Sequence, residues 1–403
     1  MAFQPISFRD PAQLRLWLLT GVLFVSYLCV AMPLPIVPVF VTGPLGLGNA
    51  WAGLGVGIAF FSTIATRAYA GKLSDRAGAK LALGRGLAFY VAGAVTCLIA
   101  GLALRTPLAA FAILLAGRLL LGLGESLVGV SIVAWGVSLV GPARSSRVLA
   151  LVGAAIYGAL AVGGPIGVVL LNRFGFAGAM AVSAVLPCLG LLAIWPMTAA
   201  AAHPHTERPS FWSVMGRIRL HGAIVCLQGI GFAAIGAFFV LDFLHRHWSH
   251  AGLGLTAFGG GFVLVRLLFG HLPDRLGGLP VAAGSLAVEA LGQAMIWTAP
   301  DPAMAFAGAF LTGLGCSMVY PAMGREVVHL VEPHLRATAL GGFTAFQDLA
   351  YGLTGPLLGL LADRAGYGSV FFTGALAAML GLALAVGARL RNFCKARQSP
   401  VRT

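Results

Sequence analysis

The feature that most constrains this chain is a succession of long apolar runs. A helix that crosses the hydrocarbon core of a bilayer needs about 20 mainly apolar residues. Runs of this kind cover residues 16–40, 51–71, 81–103, 108–138, 147–171, 174–197, 220–243, 253–272, 279–299, 303–323, 337–361 and 368–389. Charged residues make up only 9% of the chain, whereas soluble domains carry about 25%. We therefore predict an all-α integral membrane protein with twelve transmembrane helices.

One long polar segment interrupts the apolar runs, and it lies near the middle of the chain. It covers residues 198–219 and contains two prolines, a histidine pair and several charged residues. Such a composition is typical of a linker. We predict an N-terminal six-helix bundle over 1–197, a cytoplasmic linker over 198–219 and a C-terminal six-helix bundle over 220–403.

A charged motif occurs twice in this apolar chain. The first copy is Gly71-Lys72-Leu73-Ser74-Asp75-Arg76-Ala77-Gly78-Ala79-Lys80, and the second is Gly270-His271-Leu272-Pro273-Asp274-Arg275-Leu276-Gly277. The copies lie 270 − 71 = 199 positions apart. Two later landmarks repeat at 313 − 122 = 191 positions, namely Gly122-x-Gly124 with Gly313-x-Gly315 and Gly164-Pro165 with Gly355-Pro356. A parallel repeat of six helices is a recognised transporter architecture.

The net charge of +14 is distributed as a topology signal. With the N-terminus inside, most Lys and Arg residues fall in cytoplasmic segments, while the outer loops hold only Arg105, Arg173, Arg246 and Arg364. This asymmetry follows the positive-inside rule. It favours cytoplasmic termini and argues against a nucleic-acid partner.

These residues together resemble the major facilitator superfamily. The resemblance rests on twelve helices, a central linker and the motif Gly71 to Lys80, and it covers nearly the whole chain. Arg118-x-x-x-Gly122-x-Gly124 is similar to the helix-4 motif of the family, which is often linked to proton coupling. Gly163-Gly164-Pro165-Ile166-Gly167 is similar to its helix-5 antiporter motif, although Val168 replaces a closing glycine. The resemblance is nearest to efflux-type members of the bacterial inner membrane.

The resemblance implies two sets of structural residues. A conformational latch on the cytoplasmic face would use Gly71, Asp75, Arg76, Gly78, Lys80, Gly270, Asp274, Arg275 and Arg336. Tight packing of helices 5 and 11 would use Gly163, Gly164, Pro165, Gly167, Gly355 and Pro356. The second copy of the charged motif has Leu279 where the first copy has its last basic residue, Lys80.

Ionisable residues within apolar runs are the candidates for coupling and substrate binding, because charge in a bilayer is costly and usually functional. Arg118 and Glu125 are seven residues apart, which is two helical turns and roughly 10 Å on one face. Asp348 stands beside Gln347 in the eleventh run, and Gln228 in the seventh run is a polar candidate for the same cavity. A structural ion pair is the alternative for Arg118 and Glu125.

Two further groups receive structural interpretations. Glu289 in the ninth run is expected to lie against neighbouring helices, since the resemblance places that helix outside the central cavity. The outer His245-Arg246-His247 segment is interpreted as a solvated loop rather than a metal site. We find no nucleophile–base set, no phosphate loop and no metal-ligand spacing, so we expect neither an enzyme nor a cofactor.

We therefore predict a secondary active transporter driven by the proton gradient, with a small molecule, protons and the lipid bilayer as its partners and a monomeric state. Proton-coupled export of a small organic molecule by alternating access is favoured. Proton-coupled uptake of a sugar or organic acid is the alternative.

Overall fold

A computed structural model describes residues 11–141, 144–198, 212–332 and 335–398, and within these ranges all regular structure is helical. The helices before the linker are α1 (Pro11–Ala31), α2 (Pro33–Thr42), α3 (Asn49–Ala77), α4 (Ala79–Leu102), α5 (Pro107–Val140) and α6 (Ser145–Ile194). Those after it are α7 (Trp212–His245), α8 (Leu253–Phe269), α9 (Leu272–Leu276), α10 (Gly278–Thr298), α11 (Pro302–Leu330), α12 (Arg336–Ala365) and α13 (Gly368–Gln398). The all-α prediction is confirmed.

The helices account for the twelve apolar runs, with two differences in detail. The first run is divided into α1 and α2 at Met32, directly before Pro33, because proline lacks the amide hydrogen that would continue the helical bonding. The fifth and sixth runs together form α6, which consists of two helical segments joined at a kink at Gly175, where φ is 69°. Among the described residues, nine helical segments are long and apolar enough to span a membrane, and α8 is a shorter apolar helix.

The chain divides into two compact units. The N-terminal unit comprises Met1–Ile36 and Ile58–Thr206, and the C-terminal unit comprises Val37–Gly57 and Glu207–Thr403. Residues 199–211 of the predicted linker lie outside the described residues. In the N-terminal unit α4 packs along α5, and α1 packs along α6. In the C-terminal unit α10 packs along α11 and α13, while α12 packs along α7.

The predicted repeat is visible in the packing of α4 on α5 and of α10 on α11. A Cβ atom added to Gly93 would lie 2.8 Å from the carbonyl oxygen of Gly117. A Cβ atom added to Gly292 would lie 2.7 Å from the carbonyl oxygen of Gly308. Gly93 and Gly292 are 292 − 93 = 199 positions apart, and Gly117 and Gly308 are 308 − 117 = 191 positions apart. The two sequence offsets thus describe one helix crossing that occurs in both units.

The same crossing contains a second pair of close contacts. A Cβ atom on Gly124 would lie 2.9 Å from the carbonyl oxygen of Gly86, and one on Gly315 would lie 2.6 Å from that of Ser285. These residues are related by the same two offsets. Small residues at such positions allow transmembrane helices to approach until their backbones touch.

The segment 37–57 is held on α12 within the C-terminal unit. The carboxylate of Asp363 accepts hydrogen bonds from the backbone and side-chain amides of Asn49, at 3.0 and 2.8 Å, and from the backbone amide of Ala50 at 3.3 Å. It therefore satisfies amides at the start of α3, where the helix dipole also favours an anion. The Tyr367 hydroxyl donates to Asn49 Oδ1 at 2.9 Å. Burial raises the pKa of Tyr367, against the smaller opposite effect of the bond to Asn49, so this hydroxyl remains a donor at neutral pH.

Candidate functional site

The polar cluster of the N-terminal unit centres on Glu125 in α5. The hydroxyl of Tyr27, on α1, donates to Glu125 Oε1 at 3.0 Å. Tyr27 and Tyr90, which lies on α4, both interact electrostatically with Glu125. Tyr90 is fully buried, and its hydroxyl has no hydrogen-bond partner among the described residues. Three helices thus bring hydroxyl groups and a carboxyl group to one place.

Arg118 lies in the same helix as Glu125 and is almost completely buried, with 1% of its surface exposed. Its guanidinium interacts electrostatically with Glu125 and Tyr27, and also with Cys97 and Cys29. The sequence prediction that Arg118 and Glu125 share a face agrees with this environment. A buried arginine is costly without negative or polar neighbours. Glu125 is an acidic neighbour of Arg118.

In the C-terminal unit, three predicted site residues lie on α7 and α12. Gln228 and Asp348 are buried, at 2% and 7% exposure, and Gln347 is half-buried. The Gln347 side-chain amide approaches Gln228 Oε1 at 3.5 Å, which is the long limit for a hydrogen bond. The helices α7 and α12 therefore place two amides side by side, with a buried carboxyl at the adjacent position.

A second buried acid lies deeper in this unit. Glu289 on α10 has no exposed surface. The thiol of Cys316, on α11, lies near the Glu289 carboxyl and the Gln228 amide. Gln293, one turn beyond Glu289, donates to the backbone oxygen of Gly231 at 3.1 Å. The expectation that Glu289 lies against neighbouring helices agrees with this position, but the polar surroundings were not foreseen.

The first charged motif forms the end of α3 and the start of α4. Helix α3 continues through Ala77, so the motif up to that point is helical rather than a loop. Gly78 then reverses the chain with φ 87°, a conformation that glycine adopts readily. Asp75 is half-buried, and Arg76 is exposed. Gly71 is buried near the start of the motif.

Lys80, the last residue of this motif, has a specific partner in the N-terminal unit. Its ammonium donates to the backbone oxygens of Trp195 and Met197 at 2.8 and 2.6 Å. These carbonyls follow the end of α6, where backbone oxygens lack helical partners and the dipole favours a cation. Lys80 therefore fastens the start of α4 to the end of α6.

The second motif has its own set of contacts. Gly270 and Arg275 are exposed, and Gly277 reverses the chain with φ 88°. Asp274 lies 3.8 Å from Arg325 of α11 and is 84% exposed, so this ion pair contributes little stability. Arg336, at the start of α12, is exposed.

The helix-5 and helix-11 glycines make close backbone contacts. A Cβ atom on Gly163 would lie 2.7 Å from Ala31 Cβ, and one on Gly167 would meet the carbonyl oxygen of Met32, so α6 packs against the break between α1 and α2. Gly164 is buried, and Pro165 is half-buried.

In the C-terminal unit, a Cβ atom on Gly355 would meet the backbone of Gly53 in α3, and Pro356 follows within α12. Of the predicted packing residues, Gly163, Gly167 and Gly355 thus make close contacts.

Sequence reasoning missed Tyr27, Tyr90 and Cys316 as members of the polar clusters. The repeat itself contained the signal. Tyr90 corresponds to Glu289 at 289 − 90 = 199, and Glu125 corresponds to Cys316 at 316 − 125 = 191. Applying the two offsets to every polar residue within the apolar runs would have identified this relationship.

Comparison with protein families agrees with the family resemblance seen in the sequence. The family model of the Major Facilitator Superfamily matches residues 19–241 and again residues 222–401. An uncharacterised MFS-type transporter of Salmonella typhimurium is 39% identical over 382 residues, which cover 94% of this chain and 98% of the relative. An uncharacterised MFS-type transporter of Burkholderia mallei is 41% identical over 367 residues, which cover 90% and 88% of the two chains.

Solved structures share the fold. The nucleoside transporter NupG superposes with a TM-score of 0.76 at 16% identity, covering 92% of this chain and 99% of that one. The human organic anion transporter MFSD10 superposes with a TM-score of 0.68 at 16% identity, covering 94% and 100%. Members of this family are secondary transporters and not enzymes, and they need no cofactor. On its sequence matches and its helical repeat, the chain belongs to the major facilitator superfamily.

Proposed function

We propose that this transporter exports a small organic molecule across the bacterial inner membrane in exchange for protons. The observation that carries the proposal is the hydrogen bond from Tyr27 to Glu125 beside the buried Arg118. A carboxyl in this position has partners that stabilise its charged form and an apolar surrounding that favours its neutral form. Such a balance suits a group that binds and releases a proton during each cycle.

Asp348 is the proposed coupling residue of the C-terminal unit. It is buried on α12 next to Gln347, whose amide reaches Gln228 on α7. Two adjacent amides provide hydrogen-bond donors and acceptors for a polar substrate without adding charge. We assign proton binding to Asp348 and substrate contact to the amide pair.

Export is favoured over uptake by the glycines of α6. Gly163 and Gly167 bring α6 into backbone contact with the break after α1, as expected for the helix-5 motif of antiporters. Uptake by symport remains the second candidate because Val168 replaces the closing glycine of that motif.

The proposed cycle is alternating access by two six-helix bundles, residues 1–197 and 220–403, joined by a cytoplasmic linker. We propose that both termini are cytoplasmic, that the protein works as a monomer, and that Asp75 and Asp274 serve latches that hold one state. Cysteine-accessibility labelling at Arg105, in the turn after α4, and at Lys72, near the end of α3, tests the orientation. Labelling of both positions from the same side of the membrane would reject it.

The transport assay uses inverted membrane vesicles and a substrate identified by a toxicity screen of a deletion strain. We expect substrate accumulation when the vesicle lumen is made acid relative to the medium, so that protons leave as substrate enters, and its loss when nigericin collapses that gradient. Glu125→Gln should abolish the gradient-dependent accumulation. Glu332→Gln changes an exposed acid that pairs with Arg217, and it should transport like the wild type. Accumulation that is insensitive to nigericin would refute proton coupling, and gradient-driven loss of substrate from the vesicles would favour symport.

A further inference from the structure

The buried carboxyl of Glu289 is the strongest chemical feature that the proposed transport cycle does not yet use. The residue is completely buried, and neither carboxyl oxygen has a nitrogen or oxygen partner within the described ranges. An isolated ionised carboxylate is very costly in an apolar interior. An acid therefore occupies a place where a leucine or methionine would pack at lower cost, which points to a use for its proton.

The surrounding helices leave room for this acid. Gly231 on α7 and Gly315 on α11 both face it, and a Cβ atom on Gly315 would lie 2.7 Å from Glu289 Cβ. Gly374 on α13 leaves the corresponding space for Gln293, since its Cβ atom would lie 2.5 Å from Gln293 Oε1. Glycines on three helices thus form a compartment for two polar side chains from α10. The oxygen of Gln293 also has no hydrogen-bond partner among the described residues.

The repeat shows that this position is equivalent to part of the N-terminal cluster. Tyr90 and Glu125 face each other across α4 and α5, and Gly124 would place a Cβ atom 2.7 Å from the Tyr90 ring. At the equivalent crossing of α10 and α11, Glu289 occupies the position of Tyr90 and Cys316 occupies that of Glu125. Each unit therefore has one carboxyl at this crossing, but the acid has moved to the opposite helix.

A line of polar groups leads from Glu289 towards the proposed site. Cys316 lies near both Glu289 and Gln228, and Gln228 Oε1 is 3.5 Å from the side-chain amide of Gln347. Gln347 precedes Asp348 in α12. Amides and a thiol can pass hydrogen bonds along such a line, as can a water molecule that enters beside them.

We propose that Glu289 is a second proton-binding residue, which exchanges its proton with the substrate site along Cys316, Gln228 and Gln347. This proposal deepens the proposed proton coupling and rests on it. The side chains of this route bind the water molecules that carry the proton, so only O–H bonds change: the proton leaves the Glu289 carboxyl for water, is passed to bulk water or to the Asp348 carboxylate, and returns by the same route.

The groups around Glu289 limit which residues could produce a proton signal from this compartment. Cys316 is the titratable group that faces it from α11. On α7, Gly231 faces it and carries no titratable group, while Gly374 on α13 faces Gln293. A proton signal from this compartment therefore belongs to Glu289 or to the thiol, and replacing Cys316 separates the two.

The first experiment measures protonation without measuring transport. Dicyclohexylcarbodiimide is apolar and reacts with protonated carboxyls: the acid proton goes to a carbodiimide nitrogen and the carboxyl oxygen adds to the central carbon. Peptide mapping by mass spectrometry locates the product. We expect labelling of Glu289 in the full-length protein to fall several-fold between about pH 6 and pH 9, and to do so equally in Cys316→Ser. Constant labelling across this range, including none, would overturn the proposal.

The second experiment uses the repeat as its design. Glu289→Gln keeps the size of the side chain and its capacity to donate and accept hydrogen bonds. A purely structural role for Glu289 therefore predicts transport with wild-type pH dependence. We expect at least a tenfold loss of gradient-driven transport. The double variant Glu289→Gln with Cys316→Glu returns the acid to the position that Glu125 occupies in the other unit, and should recover part of the loss. Wild-type pH dependence in Glu289→Gln would refute the assignment.

The two experiments also separate this proposal from the proposed function. If nigericin has no effect on the wild type, proton coupling fails, while the labelling still reports whether Glu289 releases its proton. If the wild type is proton-coupled but labelling is constant, only the role of Glu289 fails.

Discussion

An alanine at Gly292 tests the crossing of α10 and α11 on which the compartment of Glu289 depends. The added Cβ atom would lie 2.5 Å from the amide nitrogen of Thr312, 2.7 Å from its hydroxyl and 2.7 Å from the carbonyl oxygen of Gly308. Ordinary contacts of a Cβ atom begin at 3.4 Å. The variant therefore requires α10 and α11 to separate by about 1 Å at this point, since two of the three obstacles are backbone atoms.

The cost follows from the length of the contact that is opened. A gap of 0.5–1 Å loses a quarter to a half of each dispersion contact, and each contact is worth roughly 0.1–0.2 kcal/mol. About 20 atom pairs at one crossing give a loss of roughly 1 kcal/mol, which lies within the usual ~1–3 kcal/mol for overpacking. Glu289 and Gln293 lie on the displaced helix, so a polar contact such as that from Gln293 to Gly231 is weakened as well.

Gly284 supplies the matched control because it lies in the same helix. It is exposed, and nothing lies within 4 Å of its added Cβ atom. Alanine there should be neutral or stabilising by up to ~1 kcal/mol, since glycine is a poor helix former. The two variants should thus differ by ~1–4 kcal/mol, which is about fivefold to several hundredfold in the unfolding equilibrium.

The measurement is SDS-induced unfolding in mixed micelles, followed by tryptophan fluorescence. The same comparison in the N-terminal unit uses Gly93→Ala, whose Cβ atom would lie 2.8 Å from Gly117 oxygen, and Gly84→Ala, which would meet only the Ile194 side chain at 3.9 Å. Equal midpoints for Gly292→Ala and Gly284→Ala would refute the backbone contact. A large cost in one unit alone would refute the equivalence of the two crossings.

Three further outcomes follow from individual contacts. Asp348→Asn should express normally but lose the pH-dependent component of transport in vesicles, and a wild-type pH profile would reject its role. Asp363→Ala removes the acceptor for the amides of Asn49 and should cost ~0.5–2 kcal/mol in the same unfolding assay; an unchanged midpoint would contradict the capping role. Lys80→Met removes the hydrogen bonds to the backbone oxygens of Trp195 and Met197 and should lower the free energy of unfolding by ~1–2 kcal/mol. Lys80→Arg should retain part of that stability.

Much of the fold could be predicted from the chain alone. Apolar runs of spanning length and a biased distribution of basic residues are one-dimensional signals, because the bilayer imposes length, hydropathy and charge asymmetry on every helix separately. The repeat was equally visible, since Gly78 and Gly277 are needed for the same reversal of the chain. The division of α1 from α2 followed from Pro33.

The candidate site was predicted only in part. Arg118, Glu125, Asp348 and Gln228 were found because charge or amide groups are rare in apolar runs. Tyr27 escaped notice, since a tyrosine in such a run reads as an ordinary aromatic residue until the structure places its hydroxyl 3.0 Å from Glu125.

What the sequence alone determined was the class of protein, its twelve helices and the equivalence of its halves, because these depend on spacing within each helix. Only the tertiary structure decided which polar residues meet, since that depends on which faces of neighbouring helices touch. Glu289 illustrates the difference. From its position in the chain it is one acid in an apolar run, and only the tertiary structure, in which Gly315 on α11 and Gly231 on α7 leave room for it, sets it beside Cys316.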